Sequence, residues 1–468
     1  MSPRTPRPAV LRPAAALALA LGACGGEQRA ARPDVALIVV DTLRADALSC
    51  YGNPRPTTPH LDALARSGVL FEQALAHAPN TTASHATLFT GLHPGAHGAD
   101  NTLVDGGRPA ALEDAFVTLA ERLAAAGWRT AAFTDGVALG RAWNLLQGFA
   151  RVECDSAGVA AKIEQALAFL DGPDDGRPRF LFVHTYQVHQ PYTAPEPWAT
   201  RFDPDYDGPL AAPDRANRAA WNEHGELPPH DLAADPARLS ARDLEHLVAL
   251  YHGELAYTDE ALAPLLERLD PGWVVAVTSD HGEEFGEHGQ VGHRQLFAET
   301  LHVPLILRAP DGPRGVRVRG RVGLLDLHAT LLAAAGLDAP DGALDLLDVA
   351  RGGALPERAH FAQRNDSLHL GQRAPLYRSV RLGPRALIER FESDPPLRLA
   401  FDLDLDPAER EPLDVPWDDL AERLARHAAE QDDLRLEVLG ADGPAHAPAL
   451  GDGELRALRA LGYADDGR

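Results

Sequence analysis

Two apolar, β-branched runs in this chain of 468 residues end abruptly in polar groups with metal-binding chemistry. Val35-Ala36-Leu37-Ile38-Val39-Val40 runs into Asp41, and Trp273-Val274-Val275-Ala276-Val277-Thr278-Ser279 runs into Asp280-His281-Gly282-Glu283. Runs of this kind fill strands buried on both faces of a parallel sheet. Open α/β sheets bind ligands outside the carboxyl ends of their strands. Asp41 and Asp280-His281, far apart in sequence, are therefore placed to share one crevice. Carboxylates and imidazoles together suit a divalent cation, and a cation there suits ester chemistry.

The rest of the chain supports such a sheet. Helical patterns over residues 58–68, 112–126, 159–170, 240–269 and 324–335 alternate with strand patterns at 129–134, 179–183, 273–279 and 303–308. This alternation predicts a doubly wound, largely parallel sheet. After about residue 355 three short strand candidates follow closely, at 377–382, 385–391 and 398–403. They predict a small antiparallel sheet, followed by a charged helical tail over 417–468. Residues 204–238, rich in Pro, Ala and Asp, read as an irregular excursion.

The first residues have another purpose. Arg4, Arg7 and Arg12 precede the apolar run 14–21, and Leu21-Gly22-Ala23-Cys24 ends it like a bacterial lipobox. The expectation is a signal peptide over 1–23, lipidation of Cys24 and a tether over 24–32. A catalytic domain over 33–354 and a C-terminal region over 355–468 complete the division. The protein is then expected in the bacterial cell envelope, lipid-anchored, on the periplasmic or outer surface.

A net charge of −24 leaves no basic stripe and argues against a nucleic-acid partner. Besides Cys24 only Cys50 and Cys154 occur, too few for a disulfide framework, and their pairing is left open.

Each polar candidate has a plainer reading. An Asp at a strand end also caps loops, and an isolated His is often a satisfied core group. Adjacent Asp280 and His281 cannot both face the core, and Gly282 lets the backbone wrap closely around an ion. His184 and His189 follow the 179–183 strand, while His288 and His293 follow the Asp-His pair. Residues 80–91 read as a loop entering a helix, where free amides attract anions and a hydroxyl is easily activated. There is no His-Glu-x-x-His pair and no Gly-x-Ser-x-Gly elbow, so a zinc peptidase and a serine esterase lack support. Asp402–Asp406 lacks the Gly and the final Glu of a calcium loop.

Together these residues resemble the sulfatase family of the alkaline phosphatase superfamily. Val39–Asp46 with Cys50-Tyr51-Gly52 is similar to its first metal motif, and Thr57–Asp62 to its next helix. Residues 81–91 resemble its nucleophile segment, and Thr278–Glu283 with Gly286–Gly289 its second metal motif. Tyr257-Thr258-Asp259, Val303–Ile306, Phe401–Leu403, Asp406–Glu409 and Leu458–Tyr463 also fit. The resemblance implies an alkaline-phosphatase-like fold with a doubly wound, mainly parallel sheet.

Departures from the family pattern shape the expected chemistry. Formylglycine sulfatases carry Cys or Ser, then Pro two positions later and Arg four positions later; here Thr81, Ala83 and His85 occupy those places. Such enzymes also use two active-site lysines, and Lys162 is the only lysine in this chain, on an amphipathic helix away from every motif. The second Asp of the usual pair is Thr42. The resemblance therefore implies the threonine branch of the superfamily. Thr81 would be the nucleophile, with Thr82 as the fallback. Asp41, Asp280, His281 and Thr81 would ligate one metal, which is zinc, calcium, manganese or magnesium. His189 and His293 would contact the transferring group, bind a second metal or protonate the leaving oxygen, and His85 would steady the nucleophile loop. The implied activity is a metal-dependent hydrolase of phosphate or sulfate esters, phosphate favoured, acting on a small-molecule, glycan or lipid ester. A phospho-alcohol transferase on envelope glycan or lipid, and a non-catalytic binding lipoprotein, are the alternatives.

Overall fold

Val35–Val40 is buried at every position, so it needs a strand on each side and a helical layer above and below. It has both. In the computed structural model, which describes residues 32–104, 108–211, 239–366 and 374–440, it pairs in parallel with Arg179–Thr185 and with Val274–Thr278. The main sheet runs His302–Val303, Val69–Leu75, Leu305–Arg308, Val274–Thr278, Val35–Val40, Arg179–Thr185, Arg129–Thr134, Arg151–Cys154, with Val316–Gly323 paired to Val69–Leu75. The strands His302–Val303 and Leu305–Arg308 are antiparallel to their neighbours. Every other pairing in this sheet is parallel.

Alternation along the central strand feeds two cores. Val35, Leu37 and Val39 face Leu88 and Phe89 of helix Thr81–Thr90 and Leu327 and Leu331 of helix Leu324–Ala334. Ala36, Ile38 and Val40 face Ile163 of helix Val159–Leu170 and Leu250 and Leu262 of helix Ala241–Arg268. The doubly wound, mainly parallel sheet expected from the alternation is present. Among the described residues no helix is long and apolar enough to cross a membrane.

The small C-terminal sheet is antiparallel and has four strands, His360–Asp366, Ala374–Leu382, Arg385–Arg390 and Leu397–Asp402. Helix Asp418–Leu439 packs on it through Leu420 and Leu424. The first strand escapes a reading based on apolar runs because its sequence, His-Phe-Ala-Gln-Arg-Asn-Asp, is mostly polar. Val69–Leu75 is missed for a similar reason, with Glu72 and Gln73 at its centre.

Two predicted elements are corrected. The helix expected over 112–126 begins only at Leu119, because Thr118 and Glu121 form a reciprocal capping box there. The strand expected over 303–308 is split at Pro304, which has no amide hydrogen for the ladder. The signal peptide, Cys24, tether residues 24–31, residues 212–238 of the excursion and the Leu458–Tyr463 motif lie outside the described residues. Cys50 and Cys154 are both free thiols.

Candidate active site

Strand register brings the site together. Val39 lies opposite His184 on one side and Thr278 on the other, so three parallel strands end at the same level. Asp41, His184 and Asp280 then emerge side by side. The Asp41 amide still donates to the Thr185 carbonyl at 3.0 Å, after which the chain turns sharply. The turn falls on Thr42, whose φ of 56° is unusual for a β-branched residue. Its hydroxyl donates to the Asp41 carbonyl at 2.8 Å, and the Tyr251 hydroxyl donates to the Thr42 carbonyl at 2.9 Å. The Leu43 amide donates to Ser279 Oγ at 2.8 Å, which ties the two motif-bearing strand ends together.

Helix Thr81–Thr90 approaches from one face and is buried along its whole length. The Thr81 hydroxyl donates to Asp41 Oδ2 at 3.2 Å, whereas the Thr82 hydroxyl is turned to the Ala138 carbonyl at 3.3 Å. Ser84 Oγ donates to the Asp280 carbonyl at 2.6 Å and pins the helix to the second strand end. His85 Nδ1 lies 2.9 Å from the Thr81 carbonyl, one turn back. The expected free amides at this helix start are already taken. The Thr82 amide donates to Asn101 Oδ1 and the Ala83 amide to Asn80 Oδ1.

The donor set fits a divalent cation. Asp41 Oδ1, Asp280 Oδ2 and His281 Nε2 are buried without a hydrogen-bond partner. One ligand atom from each of these residues lies within 4.8 Å of the other two. His281 Nδ1 is 3.0 Å from the Gly282 carbonyl, which leaves the lone pair on Nε2 in the neutral ring. Burial and then the adjacent Asp280 raise Asp41 well above the usual carboxylate range. Burial also acts on Asp280, but the imidazoles of His281, His85 and His184 outweigh it and hold this carboxyl low. Two touching carboxylates ionise together in a buried site only when a cation offsets their charge. Gly282 is required for packing, since a Cβ there would stand 2.0 Å from the Glu299 carbonyl oxygen.

The other histidines divide. The His293 ring lies 4.5 Å from that of His281 and 5.1 Å from that of His189, so both predicted histidines reach the crevice. His184 joins them, its Nε2 3.2 Å from Asp41 Oδ2. His288 does not: it stacks on Phe297 at 3.7 Å and pairs with Glu299 at 3.1 Å. Glu283, absent from the sequence-derived site, holds His293 Nδ1 at 3.1 Å, and burial pushes its carboxyl up to about 7. Burial and then His293 bring His189 down to about 4. Lys162 sits on its helix as expected, but it is buried, with Nζ 2.7 Å from Asp155 and 3.3 Å from Gln165.

The family model for sulfatases matches residues 33–337. The chain belongs to the sulfatase family. Its relatives there include the ulvan-active sulfatase of Formosa agariphila, 26% identical over 333 residues, a match spanning 66% of this chain and 63% of that one. Another is the multifunctional alkaline phosphatase superfamily protein PehA of Trinickia caryophylli, 25% identical over 66% of this chain and 75% of that protein. In fold the chain is similar to the phosphonate monoester hydrolase of Agrobacterium radiobacter. That match has a TM-score of 0.68 and 23% identity, and covers 89% of this chain and 100% of the other. The motifs at Asp41, Thr81 and Asp280-His281 all fall inside the stretch matched by the family model.

Proposed function

We propose that this sulfatase-family protein is a metal-dependent ester hydrolase that uses Thr81 as nucleophile and prefers phosphate over sulfate esters. The observation that carries the proposal is the Thr81 hydroxyl, 3.2 Å from Asp41 Oδ2 at the edge of the unpartnered carboxylates. Thr81 occupies the place of the formylglycine precursor, and the sole lysine is engaged with Asp155. The sulfate-holding groups of the family are thus absent, whereas a threonine hydroxyl suffices for phosphoryl transfer.

Asp41, Asp280, His281 and Thr81 would hold the cation. When bound, it lowers the hydroxyl pKa and offsets charge on the phosphoryl oxygens. Thr81 Oγ, its proton passing along the hydrogen bond to Asp41 Oδ2, then forms a bond to phosphorus while the bond to the ester oxygen breaks, and that oxygen leaves as the alcohol with a proton taken from water. Water next attacks phosphorus, the bond to Thr81 Oγ breaks, Thr81 takes its proton back from Asp41, and phosphate, or a phosphomonoester where the substrate is a diester, is released. His189 and His293 place Nδ1 on the Gln190 carbonyl and on Glu283 respectively. A neutral imidazole beside the reacting centre can accept the proton of the attacking water. Ser84 and His85 keep Thr81 and Asp280 in register.

The test is a comparison of phosphodiester, phosphomonoester and sulfate-ester chromogens with and without chelator. Chelator-sensitive turnover of a phosphate ester is the expected result. Sulfate turnover as the dominant activity would sink the preference for phosphate. Turnover of none of them, together with no bound metal by elemental analysis, would leave a binding protein.

A further inference from the structure

His293 enters the crevice on a stretch without regular structure, since residues 293–297 belong to no strand or helix. Backbone groups there have no ladder to join and need partners from elsewhere. Three groups along this stretch find side chains of the C-terminal region. Arg364 donates through Nη1 to the Arg294 carbonyl, Arg381 donates through Nη2 to the Leu296 carbonyl at 2.8 Å, and Glu409 Oε2 accepts from the Ala298 amide at 2.7 Å. The three backbone groups fall at alternate residues, so one side of the stretch is gripped step by step.

Two of the gripping side chains also bind each other. Arg381 Nη2 lies 2.7 Å from Glu409 Oε1 and 2.9 Å from Oε2, and its Nη1 donates to Ser379 Oγ at 3.2 Å. Arg381 and Glu409 are both buried. A charged pair at that depth adds little stability, because desolvation offsets the attraction. Glu409 also holds a φ of 53°, which is disfavoured for a residue with a Cβ and persists where the surroundings fix it. Between the gripped groups, Phe297 packs against Ile388 and Phe401 of the small sheet. The polar pair and the apolar contact thus fix the same short stretch.

We propose that Arg381 and Glu409 are positioning residues for ester hydrolysis, setting the Leu296 and Ala298 backbone and so holding His293 against His281 and His189. The inference rests on the reading of His293 as a group at the reacting centre. The motif itself supplies the other tie, from His293 Nδ1 to Glu283 at 3.1 Å. The C-terminal region provides none of the proposed cation ligands, yet on this account it completes the active site.

The experiment removes both partners together, as Arg381→Met/Glu409→Leu, so that no lone charge is left buried. Kinetics on a phosphodiester chromogen, bound metal by elemental analysis and a crystal structure are compared with the unaltered chain. A misplacement of about 1 Å can cost about 100-fold, so kcat should fall at least about tenfold, with KM within about threefold, metal content unchanged and the His293 ring shifted from His281. In a His293→Asn background the same change should cost less than about twofold more, because the group it positions is gone. Arg385→Gln, which breaks an exposed pair with Asp419 on the same sheet, should leave all readouts unchanged. The proposal is overturned if the folded double variant keeps its kcat, if the loss persists in full in the His293→Asn background, if Arg385→Gln loses as much, or if the His293 ring has not moved. Should the double variant not fold, Arg381→Lys keeps the charge but not the second nitrogen, and the same measurements decide. Failure of the underlying reading looks different: His293→Asn alone would then leave turnover unchanged, and the position of the ring in the crystal would still decide whether the pair holds it.

Discussion

At the scale of single residues, the decisive contrast is between two adjacent hydroxyls. The family motif puts Thr81 first and leaves Thr82 as the fallback, since both open one helix. The structure separates them, with Thr81 on Asp41 and Thr82 on a backbone carbonyl. Thr81→Ala should therefore lower phosphate-ester turnover by at least about 100-fold, the scale expected when a nucleophile is removed from an otherwise intact site. It should cost only about 1 kcal/mol of stability, the worth of one hydrogen bond, as read by urea denaturation. Thr82→Ala should keep turnover within a few fold; the reverse pattern would reassign the nucleophile. Asp41, Asp280 and His281 were legible because each follows an apolar run that can only be a buried strand. Glu283, His184 and the fate of His288 were not, since a single sequence does not show which side chains face a ring nitrogen across a crevice.

At the scale of elements, strand register does the work. The alternation of Val35–Val40 between two cores fixes which residues face each helical layer, and of this the sequence showed only that the unbroken apolar run is buried on both faces. The polar-centred strand Val69–Leu75 and the late start of helix Leu119–Ala125 were not, because pairing partners and a capping box outweigh local hydropathy. The second metal motif is held by one close contact between elements: Gly282 lies against the carbonyl of Glu299 in the short helix Ala298–Leu301, and its amide donates to the Thr300 carbonyl at 2.8 Å. Gly282→Ala should force these segments apart. Overpacking of this kind costs about 1–3 kcal/mol. The expected result is a lower melting temperature and, because His281 moves with its neighbour, weaker cation binding by calorimetry. A variant with unchanged cation affinity would show that the tight approach does not position His281.

At the scale of the whole molecule, the small sheet meets the main one through histidines rather than through a purely apolar seam. His77 follows strand Val69–Leu75, and its ring stacks on His360 of the small sheet at 4.4 Å. His93 contacts both His77, at 4.8 Å, and His427 of the terminal helix, at 4.4 Å. Backbone ties join the same seam: His77 Nδ1 donates to the Phe361 carbonyl at 2.8 Å, and the Gln363 amide to the His77 carbonyl at 3.0 Å. Burial drives all four imidazoles down, His77 and His427 to about 4 and the others in the same direction. The sign of the pH dependence follows. An unfolded histidine titrates near 6.5, so between about 4 and 6.5 these four rings bind more protons in the unfolded chain than in the folded one, and their contribution to stability rises with pH across that window. The contribution is complete above about 6.5 and is lost progressively as pH falls towards 4. Each fully buried ring such as His77 costs about 1.4 kcal/mol per pH unit within the window. Urea melts at pH 7, 6 and 5 should therefore show a falling midpoint, and His360→Leu should flatten that fall by removing one proton acceptor from the seam. An equally steep fall in His360→Leu would place the acid sensitivity elsewhere in the fold.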